Sequence, residues 1–213
     1  MSWFYDFSKI VLMMAVFLLT RWRVRGADNV PQQGPLLVVS NHLNNTDPPL
    51  VGLSLRRRVR FMAKEQLFRS RLGDLFIRSL GAFPVHRGRL DRDALRQAEQ
   101  ILTDGQVLVM FPEGTRSKNA QLQPALPGAA LIACRCNVAI LPVAVAGTEK
   151  INGASWWLRR PEITINIGSS FRLPPIDGQP SKAELEKQTT FIMEHIAGLL
   201  PAEYRGHYQP RGG

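Results

Sequence analysis

The sequence predicts an α/β fold in which helices flank a mostly parallel central sheet. Three observations support this prediction. Apolar runs of strand length alternate with helix-like segments along most of the chain, a pattern typical of parallel sheets. The 213 residues, 45% of them hydrophobic, suffice for one substantial core. The sequence also lacks the repeat periods that indicate solenoids or propellers.

In the first half of the chain, each predicted strand is followed by a predicted helix. The double proline after Asp47 fits the first turn of a helix, since proline there removes no helical hydrogen bond. An acidic start favours a further helix from residue 91. Strands are predicted at 36–41, 59–64 and 81–87, and helices at 50–55, 66–80 and 91–103.

The second half continues the alternation. The apolar run 106–111 is the clearest buried strand, and 162–171 alternates apolar and polar residues as a half-exposed edge strand does. The domain is predicted to span residues 26–204, between an N-terminal membrane anchor at 1–25 and a flexible tail at 205–213. The other elements predicted here are helices at 127–137 and 182–200 and a strand at 138–147.

The N-terminal segment predicts contact with a membrane. An uninterrupted apolar run covers residues 10–19, with aromatic residues on both sides and three arginines after it. A spanning helix needs about 20 apolar residues, whereas Asp6 and Lys9 interrupt this one. A spanning helix, a helix lying in one leaflet and a buried core helix all remain open. The arginines favour the cytoplasmic face of the cell membrane, with peripheral or monotopic attachment.

The charge of the chain predicts an anionic partner. Its 27 Lys and Arg against 17 Asp and Glu give a net charge of +10. Zinc-finger spacing, RNP-like boxes and basic helices followed by heptads are missing from the sequence, which disfavours nucleic acid. Lipid headgroups and phosphorylated small molecules fit the charge better. Cys134 and Cys136 form a lone C-x-C, too little for a structural zinc site, and fit a reducing cytosol.

The turn "SNHLNNTDPP" places His42 and Asp47 just past the predicted strand 36–41. Ligands bind at the carboxyl ends of strands in such sheets. A histidine can take a proton from a hydroxyl while a carboxylate holds its other nitrogen. The sequence has no G-x-S-x-G elbow, which favours a base that activates the substrate's own hydroxyl. The alternative is that Asn41 and Asp47 only cap a turn.

A second polar turn, "FPEGTRS", follows the strand 106–111. It supplies a carboxylate, Glu113, and a guanidinium, Arg116, whose planar fork suits a phosphate. The alternative here is a salt bridge between the two. Lys64 and Arg87 also follow predicted strands and are candidates for the same anion, the alternative being ordinary surface charges.

These motifs together resemble those of the 1-acylglycerol-3-phosphate acyltransferases, members of the glycerolipid acyltransferase superfamily. The N-H-x4-D pattern is complete at Asn41, His42 and Asp47, and F-P-E-G-T-R-S is complete at 111–117. "GAFPVHRG" lies between them and "AILPVAVAG" after them, in the order and spacing of that family.

The resemblance implies transfer of a fatty acyl group from acyl-CoA or acyl carrier protein to the free sn-2 hydroxyl of 1-acylglycerol 3-phosphate, giving phosphatidate. His42 would be the general base and Asp47 its orienting partner. No metal or cofactor is implied; the implied partners are the membrane lipid surface, the lysophospholipid and the acyl donor. The implied acceptor-binding residues, of which Lys64, Arg87 and Arg116 would hold the phosphate, are Lys64, Arg87, Glu113, Gly114, Thr115 and Arg116.

The sequence departs from the family pattern at two places. Pro84 occupies a usual Phe position, and Leu126 occupies a position where many members carry lysine. The second departure keeps two other acceptors open, another lysophospholipid and glycerol 3-phosphate. A basic membrane-binding protein that retains the fold without catalysis is the non-enzymatic alternative.

Overall fold

A computed structural model describes residues 13, 14, 16–85, 92–175, 178 and 180–209. The described residues form one seven-stranded sheet with the order β1-β7-β6-β2-β5-β3-β4. All neighbouring pairs are parallel except β6 and β7. The strands are β1 (Arg21–Arg25), β2 (Leu36–Ser40), β3 (Val59–Lys64), β4 (Ala82–Val85), β5 (Val107–Met110), β6 (Ala139–Ala146) and β7 (Glu162–Ile167).

Helices cover both faces of this sheet, so the predicted α/β class is confirmed. Two elements, β1 and α5, were not predicted; each of the others overlaps a predicted element of the same type. The first helix begins at Asp47 rather than Leu50, because the two prolines occupy its first turn. The helices are α1 (Asp47–Ser54), α2 (Arg71–Ser79), α3 (Arg92–Thr103), α4 (Gly128–Cys136), α5 (Trp156–Arg159) and α6 (Lys182–Leu199).

Strand β1 lies within the segment predicted as a membrane anchor, so the sheet begins before residue 26. It pairs in parallel with β7, from Arg21 opposite Glu162 to Arg25 opposite Asn166. Its sequence RWRVR alternates, with exposed arginines and half-buried apolar side chains. Strand β7 therefore lies between β1 and β6, and the prediction that it forms an edge was wrong.

The core consists of two apolar layers, one on each face of the sheet. Strand β2 is buried on both sides, with Leu37 and Val39 facing α3, α4 and α6. Leu36 and Val38 face the opposite layer, which includes α1. A strand buried on both faces reads as a continuous apolar run, which is how this one was recognised. The carboxyl end of β2, at the centre of the sheet, is therefore packed on both faces.

The two chain ends differ from the sequence predictions. Residues 13, 14 and 16–19 are helical, while 1–12 and 15 of the predicted anchor lie outside the described residues. Within the described part of the chain, none of the helices has the length and apolarity needed to cross a bilayer. The predicted flexible tail is ordered over its first residues, because Gly206–Tyr208 forms a 3-10 helix in which the His207 N–H donates to the Leu122 carbonyl. Residues 210–213 lie outside the described residues.

Candidate active site

The candidate site lies at the carboxyl edge of the sheet, where β2 ends between β5 and β6. Asn41 extends the pairing of β2 with β6 through its side chain. Its amide donates to the Val145 carbonyl (Nδ2···O 2.8 Å) and accepts from the Val145 N–H (N···Oδ1 2.7 Å). A buried amide with both groups satisfied holds its backbone firmly. The turn that follows thus starts from a fixed point.

Asp47 organises this turn. Its Oδ2 lies 2.8 Å from His42 Nδ1 and accepts the backbone N–H groups of Leu43 and Asn44, at N···O distances of 2.6 Å each. The carboxylate is fully buried and the histidine is 5% exposed. Among the described residues, the other oxygen, Oδ1, has no hydrogen-bond partner. Asp47 therefore both closes the turn and orients His42. The two interpretations drawn from the sequence, a capped turn and a base with an orienting carboxylate, are thus compatible.

The hydrogen bond to Asp47 decides the tautomer of His42. A carboxylate accepts, so Nδ1 carries the proton and Nε2 keeps its lone pair. The imidazole also packs against the ring of Phe111, with a centroid distance of 4.5 Å and a tilt of 32°. Histidine in this arrangement suits general base catalysis, and the carboxylate would stabilise the imidazolium that forms.

Glu113 connects this turn to the loop that follows β5. Its Oε1 accepts the backbone N–H of His42 and its Oε2 accepts that of Gln123, with both N···O distances at 2.9 Å. Burial raises the pKa of Glu113 to about 7, and the charge of Asp47 acts in the same direction, although the two N–H donors oppose the rise. Glu113 thus clamps two backbone segments, and its role in the acceptor site stays a prediction.

The rest of the "FPEGTRS" turn lies beside the histidine. The Ser117 N–H donates to the His42 carbonyl, with an N···O distance of 2.8 Å. Gly114 has a φ of 66°, a backbone conformation in which a side chain would be strained. Thr115 and Arg116 are exposed at the surface of this turn. The alternative of a salt bridge between Glu113 and Arg116 is not what forms, since both carboxylate oxygens of Glu113 accept backbone N–H groups.

Comparison with known proteins identifies this arrangement. A family model described as acyltransferase matches residues 21–146, which include both turns. The chain belongs to the acyltransferase family. The resemblance inferred from the two motifs is therefore confirmed, and the protein is an enzyme of this class.

Similar proteins carry more specific names. This acyltransferase is 27% identical over 202 residues to a 1-acyl-sn-glycerol-3-phosphate acyltransferase of Streptococcus pneumoniae, covering 91% of this chain and 70% of the relative. It is 29% identical over 183 residues to a chloroplast enzyme of the same name from Brassica napus, covering 84% of this chain and 51% of that longer protein. The crystal structure of a 1-acyl-sn-glycerophosphate acyltransferase from Thermotoga maritima superposes with a TM-score of 0.70 at 26% identity, covering 92% of this chain and 78% of that one.

The predicted site residues of the acyltransferase divide into three groups. His42, Asp47 and Glu113 form one buried network. Arg116 lies on the exposed turn, and Lys64 is exposed at the end of β3, two strands away from β2 at the same edge of the sheet. Arg87 lies outside the described residues. Among the described residues, no group of three His, Cys, Asp or Glu side chains is placed to hold a metal ion.

Several residues of the site were not predicted individually. Asn41 belongs to the motif that was recognised, but its cross-link to β6 was not foreseen. Phe111, against the histidine ring, likewise sits in a recognised motif. Gln123 carried no sequence signal, because its contribution is a backbone N–H. Tyr208, whose hydroxyl accepts the Ala125 N–H at 3.1 Å, lies in the segment predicted to be flexible.

Proposed function

We propose that this acyltransferase moves a fatty acyl group from acyl-CoA or acyl carrier protein to the sn-2 hydroxyl of 1-acylglycerol 3-phosphate, giving phosphatidate. The observation that carries the proposal is the buried His42–Asp47 pair at the carboxyl edge of the sheet. The names of the similar proteins support the acceptor. The two motifs, complete in this chain, support the reaction type.

In the proposed reaction, His42 Nε2 takes the proton of the acceptor hydroxyl as its oxygen attacks the thioester carbonyl carbon. The resulting tetrahedral intermediate collapses with cleavage of the C–S bond. The thiolate leaves and receives the proton from the imidazolium. Asp47 stays ionised and stabilises that imidazolium, so no acyl-enzyme is formed.

The acceptor's phosphate is assigned to the exposed cations at this edge. Arg116 follows the buried clamp of Glu113 and precedes Ser117, whose N–H donates to the His42 carbonyl, which supports a position of the Arg116 backbone close to the base. Lys64 ends β3 at the same edge and adds charge. Arg87 is assigned to the same phosphate from the motif alone. Because acceptor and product are lipids, we further propose that the protein works at the cytoplasmic face of the cell membrane.

The base assignment is tested with His42→Ala. A positioned base contributes about 10² to 10⁴ in rate, so acyl transfer should fall by that factor. Purified protein would be assayed by product mass with both thioester donors. His207→Ala is the matched control, since that imidazole is exposed and far from the pair in the chain. Transfer near the wild-type rate by a folded His42→Ala variant would refute the proposed mechanism.

The phosphate assignment is tested with Arg116→Gln. The variant should raise the KM for 1-acylglycerol 3-phosphate by about tenfold or more, because a charge-assisted hydrogen bond is lost. A panel with a lysolipid whose phosphate is esterified, and with glycerol 3-phosphate, also tests the alternative acceptors that Leu126 keeps open. If Arg116→Gln affected every acceptor equally, the arginine would have another role.

A further inference from the structure

A groove between α3 and α4 carries positive charge that the groups assigned so far leave unused. We name it the arginine groove. It encloses about 330 Å³ and is lined by Arg92, Leu95, Arg96, Leu131 and Arg135. Small-molecule sites in proteins begin at about this volume and combine apolar walls with a few charged groups. The arginine groove has the size and the composition of a site for a small molecule that carries negative charge.

Helical spacing brings these side chains together. Arg92, Leu95 and Arg96 follow an i, i+3, i+4 spacing on α3, and Leu131 and Arg135 are four residues apart on α4, so each set shares one helix face. The two helices pack against each other and contribute to the same apolar layer. Both leucines are half-buried and the three arginines are exposed. The groove therefore has an apolar floor with guanidinium groups around it.

Two carboxylates near the groove leave its arginines available. Arg135 Nη1 lies 2.9 Å from Glu99 Oε1, and Arg96 Nη1 lies 3.5 Å from Asp93 Oδ1. Exposed ion pairs of this kind contribute little, and a guanidinium has five N–H donors, so neither pair saturates its arginine. Among the described residues, Arg92 has no carboxylate partner. Three arginines against two carboxylates leave the groove positively charged.

Sheet topology places one end of the groove near the proposed base. Helices α3 and α4 each lead back to the start of a parallel strand, so both begin at the carboxyl edge, and Arg92 is the first residue of α3. Leu131 is three residues, about 4.5 Å along the helix axis, beyond Gly128. A Cβ at Gly128 would lie 3.9 Å from Cε of Met110, which ends β5. The next residue along the chain packs on the His42 ring, so a short path joins groove and base.

The two donors of the proposed reaction differ at the end remote from the thioester. Both carry the acyl group on a pantetheine arm, but one arm ends in a folded acidic protein and the other in an adenosine with a 3′-phosphate and a diphosphate. A folded protein does not enter a cavity of about 330 Å³. A nucleotide offers a flat base to apolar walls, and arginine binds phosphate with two hydrogen bonds and stacks on flat rings. The composition of the arginine groove therefore matches the nucleotide of CoA.

We propose that the arginine groove binds the nucleotide end of acyl-CoA, with the phosphates on its three arginines and the adenine against its two leucines. The pantetheine arm then runs along the start of α4 to the carboxyl edge, where His42 lies. The phosphate of the acceptor is assigned to other cations, so each substrate has its own anion site. This inference rests on the proposed function for the transfer reaction, and it adds that CoA is the donor.

The test measures the KM of two donors, acyl-CoA and the same acyl group on pantetheine without the nucleotide, for the full chain and for the double variant Arg92→Gln, Arg96→Gln. For wild type we expect the KM of acyl-CoA to be lower than that of acyl-pantetheine by about tenfold or more. The double variant should raise the KM of acyl-CoA by about tenfold, because charge-assisted hydrogen bonds to phosphate are lost. The KM of acyl-pantetheine and that of the acceptor should stay the same.

The matched control is the double variant Arg56→Gln, Arg60→Gln, which removes the same charge. Arg56 follows α1 and Arg60 lies near the start of β3, so both are at the opposite, amino edge of the sheet, and both are exposed. The KM of acyl-CoA should change by no more than about twofold in this control, since exposed charges at that distance are screened. An equal rise in both double variants, or no rise in the groove variant, would overturn the proposal.

A direct binding measurement separates the possible failures. Calorimetry with adenosine 3′,5′-bisphosphate should show binding to wild type that is about tenfold tighter than binding to the groove variant. If wild type bound this nucleotide through the groove but transferred no acyl group, the proposed function would fail and the nucleotide site would stand. If transfer used acyl carrier protein alone and the groove variant raised the KM of that donor, the groove would instead be a protein-docking surface, and the proposal would be wrong.

Discussion

The two polar turns at the site are held in different ways. The turn from Asn41 to Asp47 is closed by its own residues, since one carboxylate oxygen accepts from the His42 ring and from two backbone N–H groups, while Val145 and Glu113 anchor its start. The loop from 111 to 127 depends on distant segments. Its Leu122 N–H donates to the Tyr204 carbonyl at 2.8 Å, and its Ala125 N–H to the Tyr208 hydroxyl.

The first turn carries the proposed catalytic groups, whereas the second loop supports their position. The first turn contains both members of the proposed catalytic pair, and the hydrogen bonds that Asp47 accepts all come from within its seven residues. The second loop reaches the histidine through Glu113 and Ser117, and the chain end holds it in place. Damage to the first turn should therefore abolish the reaction, whereas damage to the second should weaken it in graded steps.

The largest expected effect is that of Asp47→Asn. The amide is neutral, so the imidazolium that forms during transfer loses its counter-charge, and the fixed tautomer is lost with it. We expect the rate to fall by about 10² to 10⁴. Initial rates of product formation check this, with Asn45→Ala as the control from the same turn, since Asn45 is exposed. A rate close to that of the control would show that the carboxylate only closes the turn.

An intermediate effect is expected for Glu113→Gln. The amide nitrogen faces one of the two backbone donors, so one clamp bond is lost and the His42 backbone shifts. We expect the rate to fall about tenfold to a hundredfold, because small displacements of a catalytic group are costly. If the rate fell as far as in Asp47→Asn, Glu113 would have to touch substrate.

The same variant carries a pH prediction for stability. The pKa of Glu113 rises from 4.5 in the unfolded chain to about 7 on folding, so the folded protein binds the extra proton between these values. The free energy of unfolding of wild type should therefore fall relative to Glu113→Gln as pH rises from 4.5 to about 7, by on the order of 2 kcal/mol. Urea unfolding of both proteins across this range measures the difference. A constant difference would contradict the burial of an ionisable carboxyl here.

The smallest effect is expected for Tyr208→Phe. The Ala125 N–H loses its acceptor, which should lower the free energy of unfolding by about 1 kcal/mol. The rate should fall by less than about fivefold, because Glu113 still clamps the loop. Thermal unfolding and initial rates would be measured beside His207→Ala. A loss as large as that of Glu113→Gln would make the chain end, rather than the carboxylate, the main support.

Much of the fold was predictable because its strands are apolar runs bounded by turns. Strand β2 was predicted from its continuous apolar residues, and the turn that holds His42 and Asp47 was placed correctly at its end. Strand β1 was missed because RWRVR reads as a basic flank of the apolar run before it. Its partner β7 is 141 residues away at the first pair, Arg21 with Glu162, and no local pattern carries that information.

The sequence by itself determined the local contacts that the proposed chemistry uses. The Asp47 carboxylate accepts its hydrogen bonds from residues three to five positions earlier, and such local bonds follow from residue order. Only the tertiary structure decided which backbone groups Glu113 holds and where the chain end packs. It also decided that the end of α5 lies beside the helical residues 16–19. Each of these depends on backbone groups meeting across long sequence separations, and a backbone N–H is the same in almost every residue, so it leaves no mark in the sequence.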